Sequence, residues 1–401
     1  MQTKLWQTSA GTLHPLVEQY TVGQDHLLDQ QLLGYDIAAS IAHAGMLQAI
    51  GVLTAAEQSA LTQALNDLLA VWRKGGFTIQ PSQEDGHTAI EQYLVEKLGD
   101  TGKKIHTGRS RNDQSLVMMR LYLKDQLKEV AALTASASKA FKTAAGGAGH
   151  TPMPGYTHLQ KAMPTTVAMW LGSYADALAD VPALLKATLA LIDQNPLGSA
   201  AGFGVSLPLD RDHTTAALGF KKTQANPMYC GLSRGLFELM AVQALNPVMV
   251  LAGKFAHDML MFTTEEFGFF SLPPAFTTGS SIMPHKQNYD LFEVMRGLAH
   301  GFGAHAMQLQ AIAAGIGSGY QRDLQLSKGV TLAAFNEAVL TLKLLAEAVS
   351  ALQMHPANLK AAITPDMHSV AEINKLVDRG VPFRDAYAQV KQHLASAGAA
   401  Q

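Results

Sequence analysis

The sequence predicts an all-α protein built as a bundle of long helices. Three observations carry this. Four stretches, residues 163–193, 232–266, 289–313 and 329–353, are long and rich in Ala, Leu and Met. Period-two runs of Val, Ile and Thr, the mark of strands, are nearly absent. Gly-rich segments at 145–157, 195–212, 271–288 and 315–329 separate the helical stretches as loops.

The elements follow in order. Residues 30–51 place apolar side chains at helical spacing, and Gly51-Val-Leu stops the pattern. Thr54, followed three residues later by Glu57, is a capping box that starts a second amphipathic helix over 54–73. A third runs from 114 to 144 and ends at Gly146-Gly147. Pro247 lies inside the 232–266 pattern and is expected to kink or break it. Length alone suggests two or three domains, and the expected division is an N-terminal helical domain (1–107), a central long-helix domain (108–355) and a small C-terminal domain (356–401). The four central helices carry more apolar surface than one chain can cover, so a homo-oligomer is expected.

Composition narrows the function classes. With 48% hydrophobic and 15% charged residues the chain is globular and not disordered. A net charge of −2 and no basic run give no reason to expect a nucleic-acid partner. The single cysteine, Cys230, excludes an intrachain disulfide and favours a reducing compartment. The start, Met1-Gln-Thr-Lys-Leu-Trp6, lacks an apolar signal core, and the charge-free stretch 297–321 is interrupted by His, Gln and Gly. A cytoplasmic protein without a membrane span is expected.

Three loops carry chemistry. Lys104–Gln114 crowds His106, Thr107, Arg109, Ser110, Arg111 and Asn112 before a helix start, where free N–H groups and positive partial charge favour anions. Two arginines there suit carboxylates, although helix capping alone explains the Ser, Asn and Asp equally well. Met153–Lys161 places Thr157 and His158 after two turn breakers; an imidazole on a loop suits proton transfer or a structural role. The segment Gly279-Ser-Ser-Ile-Met-Pro-His-Lys-Gln-Asn288 sets two hydroxyls beside a cation and an amide. Ser280 or Ser281 would abstract a proton, and Lys286 and Asn288 would stabilise a carboxylate dianion; the alternative is an ordinary turn with a solvated lysine. No His-Glu-x-x-His, cysteine cluster or EF-hand loop occurs, so no protein-held metal is expected. Gly315-x-Gly-x-Gly319 follows no strand, and no Gly-x-Ser-x-Gly elbow is present.

Together and in this order, the three loops resemble the argininosuccinate lyase family of the fumarase/aspartase superfamily. The run His106-Thr-Gly-Arg-Ser-Arg-Asn-Asp-Gln114, the run Pro154-Gly-Tyr-Thr-His-Leu-Gln160 and the 279–288 loop carry the likeness, which extends from about residue 25 to Gly380-Val-Pro-Phe-Arg384. The resemblance implies a three-domain helical fold whose central bundle is shared in a homotetramer, with sites assembled between subunits. It implies a reversible β-elimination of argininosuccinate to arginine and fumarate, through an aci-carboxylate and without metal or organic cofactor. By position in the motifs, the resemblance implies Ser280 as the base, His158 as the acid or proton relay, Glu293 as the partner of His158, and Lys286 as the stabilising cation. Asp25, His87, Arg111, Asn112, Thr157, Asn288, Tyr320, Gln325 and Lys328 match substrate-contacting positions or lie beside them.

The sequence also departs from the family. Tyr289 stands where a proline is usual, Asp25 where a serine is usual, and Leu5-Trp-Gln-Thr8 replaces a Gly-Gly-Arg-Phe element. Residues 223–236 diverge, and the C-terminal domain is short. These departures leave two alternatives: a sister C–N lyase acting on another N-substituted aspartate, and a non-catalytic homologue that keeps the fold.

Overall fold

The computed structural model describes residues 14–398, so the Leu5–Thr8 departure lies outside the described residues. Helices dominate, and the long ones coincide with the apolar stretches of the sequence. Two compact units divide the chain. One comprises residues 14–130, Ala183–Asn246 and Phe302–Glu337; the other comprises Ala131–Pro182, Pro247–Gly301 and residues 338–398.

In the first unit the helix Asp25–Ala49 packs against Ala55–Arg73 and Gly86–Leu98. Leu33, Ile37, Leu47, Leu61, Leu65, Leu68, Ile90 and Leu94 interlock there, all essentially without exposure. Burying each such side chain contributes roughly 1.5–3 kcal/mol, and this cluster therefore fixes the helices that carry Asp25 and His87. The Thr54 capping box forms as expected: Thr54 Oγ1 accepts from the Glu57 N–H at 3.2 Å, and Glu57 Oε2 accepts from the Thr54 N–H at 2.9 Å.

In the second unit an aromatic cluster replaces the aliphatic one. Trp170 stacks on Phe255 at 5.8 Å between ring centroids, and Phe141 meets Phe255 edge-on at 4.9 Å. Trp170 Nε1 and the Tyr174 hydroxyl both donate to Asp258 Oδ2, at 2.8 and 2.7 Å. The polar edges of these rings are thereby satisfied while their faces stay in the core.

Several boundaries differ from the sequence reading. The third helix does not stop at Gly146-Gly147 but runs Arg111–Ala148, since two glycines near a helix end weaken it without breaking its hydrogen bonds. The stretch expected to be helical from 163 begins as a strand. Gln160–Thr166 pairs antiparallel with Pro152–Thr157, and the helix starts at Val167. The helix Leu236–Phe262 continues through Pro247, and Val167–Ile192 likewise contains Pro182. The 289–313 stretch is two helices, Asp290–Gly301 and Gly303–Ala313, joined at Phe302. By length and composition the segments Leu236–Phe262 and Arg322–Ser350 are apolar enough to cross a membrane, yet about half of each is buried within the chain.

Candidate active site

The helix Asp25–Ala49 sets the first half of the site. Asp25, Asp29 and Asp36 recur at spacings of four and seven residues, which puts three carboxylates on one stripe of the helix. Asp29 and Asp36 are fully buried. Buried carboxylates need partners, and each has one. Asp29 Oδ1 accepts from Lys328 Nζ at 2.5 Å, and its Oδ2 accepts from the Gly86 N–H at 2.9 Å. Asp36 Oδ2 holds His87 Nδ1 at 2.5 Å.

Asp85 begins the helix Gly86–Leu98, its Oδ1 accepting from the Thr88 N–H at 2.8 Å. Arg111, at the start of the Arg111–Ala148 helix, donates to Glu84 Oε2 at 2.9 Å and to Thr88 Oγ1 at 2.7 Å, with Asp85 Oδ2 3.5 Å from its Nε. Ser110 and Asp113 cap this helix reciprocally, through the Ser110 N–H to Asp113 Oδ1 and the Asn112 N–H to Ser110 Oγ. The capping explanation therefore holds for Ser110 and Asp113, while Arg111 and Asn112 face a cavity of about 190 Å³. Asp25, His87, Tyr320, Gln325 and Lys328 also line this cavity. Seven of the thirteen candidate residues thus meet in one place within the first unit.

The charges are unevenly shared. Lys328 serves both Asp29 and Asp25, the latter at 3.2 Å. Burial alone would lower its pKa, but the two carboxylates outweigh that and raise it. Burial raises the pKa of Asp25, and its half-share of Lys328 does not offset the effect. Burial would also lower the Arg111 pKa; Asp85 and Glu84 raise it. Gln325 spends its amide on the Thr21 carbonyl, at 3.1 Å. The Arg234 guanidinium lies 4.7 Å over the Tyr320 ring and donates to Ser115 Oγ at 3.3 Å.

The second unit holds the remaining candidates on two turns and on the helix that follows the second. Thr157 pairs with Gln160 across a two-residue hairpin turn whose central residues, His158 and Leu159, take φ of +55° and +59°. Two positive φ values are what a type I′ turn demands, and here side-chain residues accept them where glycine or asparagine is usual. The turn leaves His158 exposed at its tip. The 279–290 loop is closed at its base by Thr278–Gly279 pairing antiparallel with Gln287–Asn288. Within it Ser280 Oγ accepts the Ile282 and Met283 N–H groups at 3.3 and 3.1 Å. Lys286 is exposed, and so is Glu293 in the first turn of Asp290–Gly301. Among the described residues no hydrogen bond or ion pair joins Glu293 to His158. A larger cavity of about 600 Å³ in this unit, lined by Lys139, Phe270 and Met354 among others, contains none of the candidates. Among the described residues no cluster of His, Cys, Asp and Glu is arranged to hold a metal.

Comparison with known proteins gives these loops their context. A family model described as Lyase matches residues 11–301. An argininosuccinate lyase of Xylella fastidiosa is 45% identical over 387 residues, 96% of this chain and 87% of that protein. One of Stenotrophomonas maltophilia is 44% identical over 398 residues, 99% of this chain and 92% of that protein. The chain belongs to the argininosuccinate lyase family. Solved structures agree on the fold. EDDS lyase in complex with formate matches with a TM-score of 0.80 at 24% identity, covering 97% of this chain and 77% of that one. A class II fumarase from Schistosoma mansoni matches with a TM-score of 0.74 at 16% identity, covering 93% of this chain and 91% of that one. Within this member of the argininosuccinate lyase family, sequence reasoning missed Asp29, Asp36, Glu84, Asp85 and Arg234 as cavity or support residues. The signal for the first two was present: acids repeating at helical spacing inside an otherwise apolar stripe.

Proposed function

We propose that this protein cleaves argininosuccinate reversibly to arginine and fumarate. The observation that carries the reading is 45% identity to an argininosuccinate lyase over 96% of the chain, together with a cavity lined by seven of the candidate residues.

The proposed chemistry runs as follows. The Ser280 oxygen takes the proton from the carbon next to a carboxylate. A serine hydroxyl is a weak base, and the two N–H groups on Ser280 Oγ favour its ionised form. The electron pair left on carbon moves into the carboxylate, and the dianion is stabilised by Lys286 and Asn288. The pair then returns to form the double bond of fumarate as the C–N bond breaks. His158 gives a proton to the departing guanidine nitrogen, with Glu293 of the same or another subunit orienting it. Asn112, Thr157, Tyr320 and Gln325 contact the substrate beside Arg111, His87, Lys328 and Asp25. The candidates divide between the two units, and we propose that a homotetramer completes each site by sharing residues between subunits. Exposed Met169, Val250, Val294, Met307 and Leu340 on the long helices supply apolar surface for that assembly. We place the enzyme in the cytoplasm.

A second reading, a sister lyase acting on another N-substituted aspartate, is favoured by Asp25, which adds an incompletely paired carboxylate to the cavity. One experiment separates the two. Purified protein is incubated with argininosuccinate and with other succinyl-amines, and fumarate absorbance is followed in the ultraviolet. Turnover of argininosuccinate is expected, and Ser280→Ala should abolish it with circular dichroism unchanged. Turnover confined to another succinyl-amine would replace the first reading with the second. No turnover of any such compound would overturn both.

A further inference from the structure

Beneath the cavity of the first unit lies a buried chain of charge that the proposed chemistry does not use. His87 is the second residue of the Gly86–Leu98 helix and is nearly buried. Its Nδ1 is 2.5 Å from Asp36 Oδ2, and Asp36 has no exposure at all. The other Asp36 oxygen, Oδ1, has no hydrogen-bond partner; it faces Arg109 Nη2 at 3.9 Å. Arg109 is itself buried and anchored by Nη1 on Ser40 Oγ at 3.0 Å. The His87 Nε2, on the far side of the ring from Asp36, has no protein partner among the described residues; His87 lines the candidate cavity and also a hollow of about 460 Å³ shared with Glu91, His106 and Arg109.

A carboxylate bound to one imidazole nitrogen fixes both the ring orientation and the proton on that nitrogen. The surroundings decide the charge. Burial alone would drive His87 towards its neutral form. Asp36, by its charge and its hydrogen bond, outweighs burial, helped by Asp85 at the cap of the same helix and Asp29 on the neighbouring one. The opposing cation is Arg109, held behind Asp36; His106 on the 104–106 turn, beside Glu91, has its own pKa lowered, chiefly by burial. Arg111 is occupied by Glu84 and Asp85. The net effect raises the His87 pKa above its ordinary value.

We propose that Asp36 is a positioning residue that holds His87 as a charged donor, its Nε2–H offered to a carboxylate of the bound substrate. Asp36 touches no ligand and acts only through His87, with Arg109 Nη2 3.9 Å from its other oxygen. The idea rests on the cavity being the substrate cavity of the proposed lyase. It explains why a helix that packs the core carries a buried acid at this position.

The test is Asp36→Asn in the full-length protein, read in three ways. Histidine ring nitrogen NMR should find His87 doubly protonated through neutral pH in the wild type and a neutral tautomer in the variant. The KM for argininosuccinate should rise about tenfold, the worth of one charge-assisted hydrogen bond, with kcat changed far less. The variant KM should also worsen as pH rises through the ordinary histidine range, about 6.5, where the wild type stays flat. A variant that loses thermal stability but keeps the wild-type KM and pH profile overturns the proposal in favour of a purely structural acid. If Asp36→Asn does not fold, His87→Gln reads the same KM, and an unchanged value is equally decisive. Titration with succinate, followed on the His87 ring signals, needs no turnover. Shifts in a wild type inactive on argininosuccinate would support the anion site while the lyase reading fails. A wild type that turns over argininosuccinate without any response of His87 to succinate would overturn this inference alone.

Discussion

Lys328 and its two carboxylates show how residue-level charge sets both stability and affinity. Asp29 is fully buried and Asp25 only mostly so, and one ammonium serves both. Removing that ammonium leaves Asp29 as an unpaired buried charge. Lys328→Met should therefore lose roughly 3–5 kcal/mol in denaturant unfolding. Asp25→Asn should act in the opposite direction. The Asp25 pKa is raised in the fold, so the folded state binds its proton more tightly than the unfolded chain does. Its favourable contribution is complete below the ordinary carboxylate value and is lost as pH rises through the folded value. At neutral pH the ionised group is a net cost, so Asp25→Asn should raise the melting temperature at pH 7 and leave it unchanged in strong acid. A lower melting temperature at pH 7 would mean that the Lys328 pair, and not burial, governs Asp25. Neither acid could be ranked from sequence. Asp25 was legible as a departure from a family pattern. Asp29 and Asp36 were passed over, because an acid at helical spacing is ambiguous until the packing partner of that face is known.

Among the elements, long helices were legible because apolar periodicity over twenty residues leaves little choice. Short irregular pieces were not. The hairpin Pro152–Thr166 was missed because Pro154 and Pro164 sit in its strands. Proline usually demotes a strand, and these two face each other across the pair, where their missing donors leave no ladder bond unmet by a central neighbour. At Pro247 a kink or a break was expected, and the break does not occur: helix neighbours retain a segment that local chemistry alone would break. The 279–290 loop sits between these cases. Its motif was legible, but its anchor was not. The Tyr289 ring stacks on Phe292 with centroids 6.5 Å apart, Phe292 is fully buried, and its N–H donates to the Tyr289 carbonyl at 2.9 Å. The family departure at 289 thus pins the C-terminal end of the loop to the core. Tyr289→Ala should forfeit about 0.5–1.5 kcal/mol of ring contact and speed limited proteolysis within residues 280–287, while Tyr289→Phe should behave as wild type. Equal cleavage rates in wild type and Tyr289→Ala would show that the ring does not hold the loop.

The distribution of candidate residues decides what the whole molecule has to do. Asp25, His87, Arg111, Asn112, Tyr320, Gln325 and Lys328 fall in one unit; Thr157, His158, Ser280, Lys286, Asn288 and Glu293 fall in the other. The three motifs were readable in the sequence because each is a contiguous run. Which chain supplies each run to a given site was not readable, because a linear pattern carries no information on symmetry. If subunits share sites as proposed, two inactive variants can rescue one another. Ser280→Ala damages only the set in the second unit, and Asn112→Ala only the set in the first. In a mixed tetramer some sites would draw the first set from a Ser280→Ala chain and the second from an Asn112→Ala chain, and would be intact. Each variant alone should be inactive, and the two mixed, dissociated in mild denaturant and reassembled should regain a fraction of wild-type turnover. Native mass spectrometry would confirm that mixed tetramers have formed. Mixed tetramers without recovered activity would mean that each site is built from a single chain, since a site confined to one chain carries one of the two lesions in every combination.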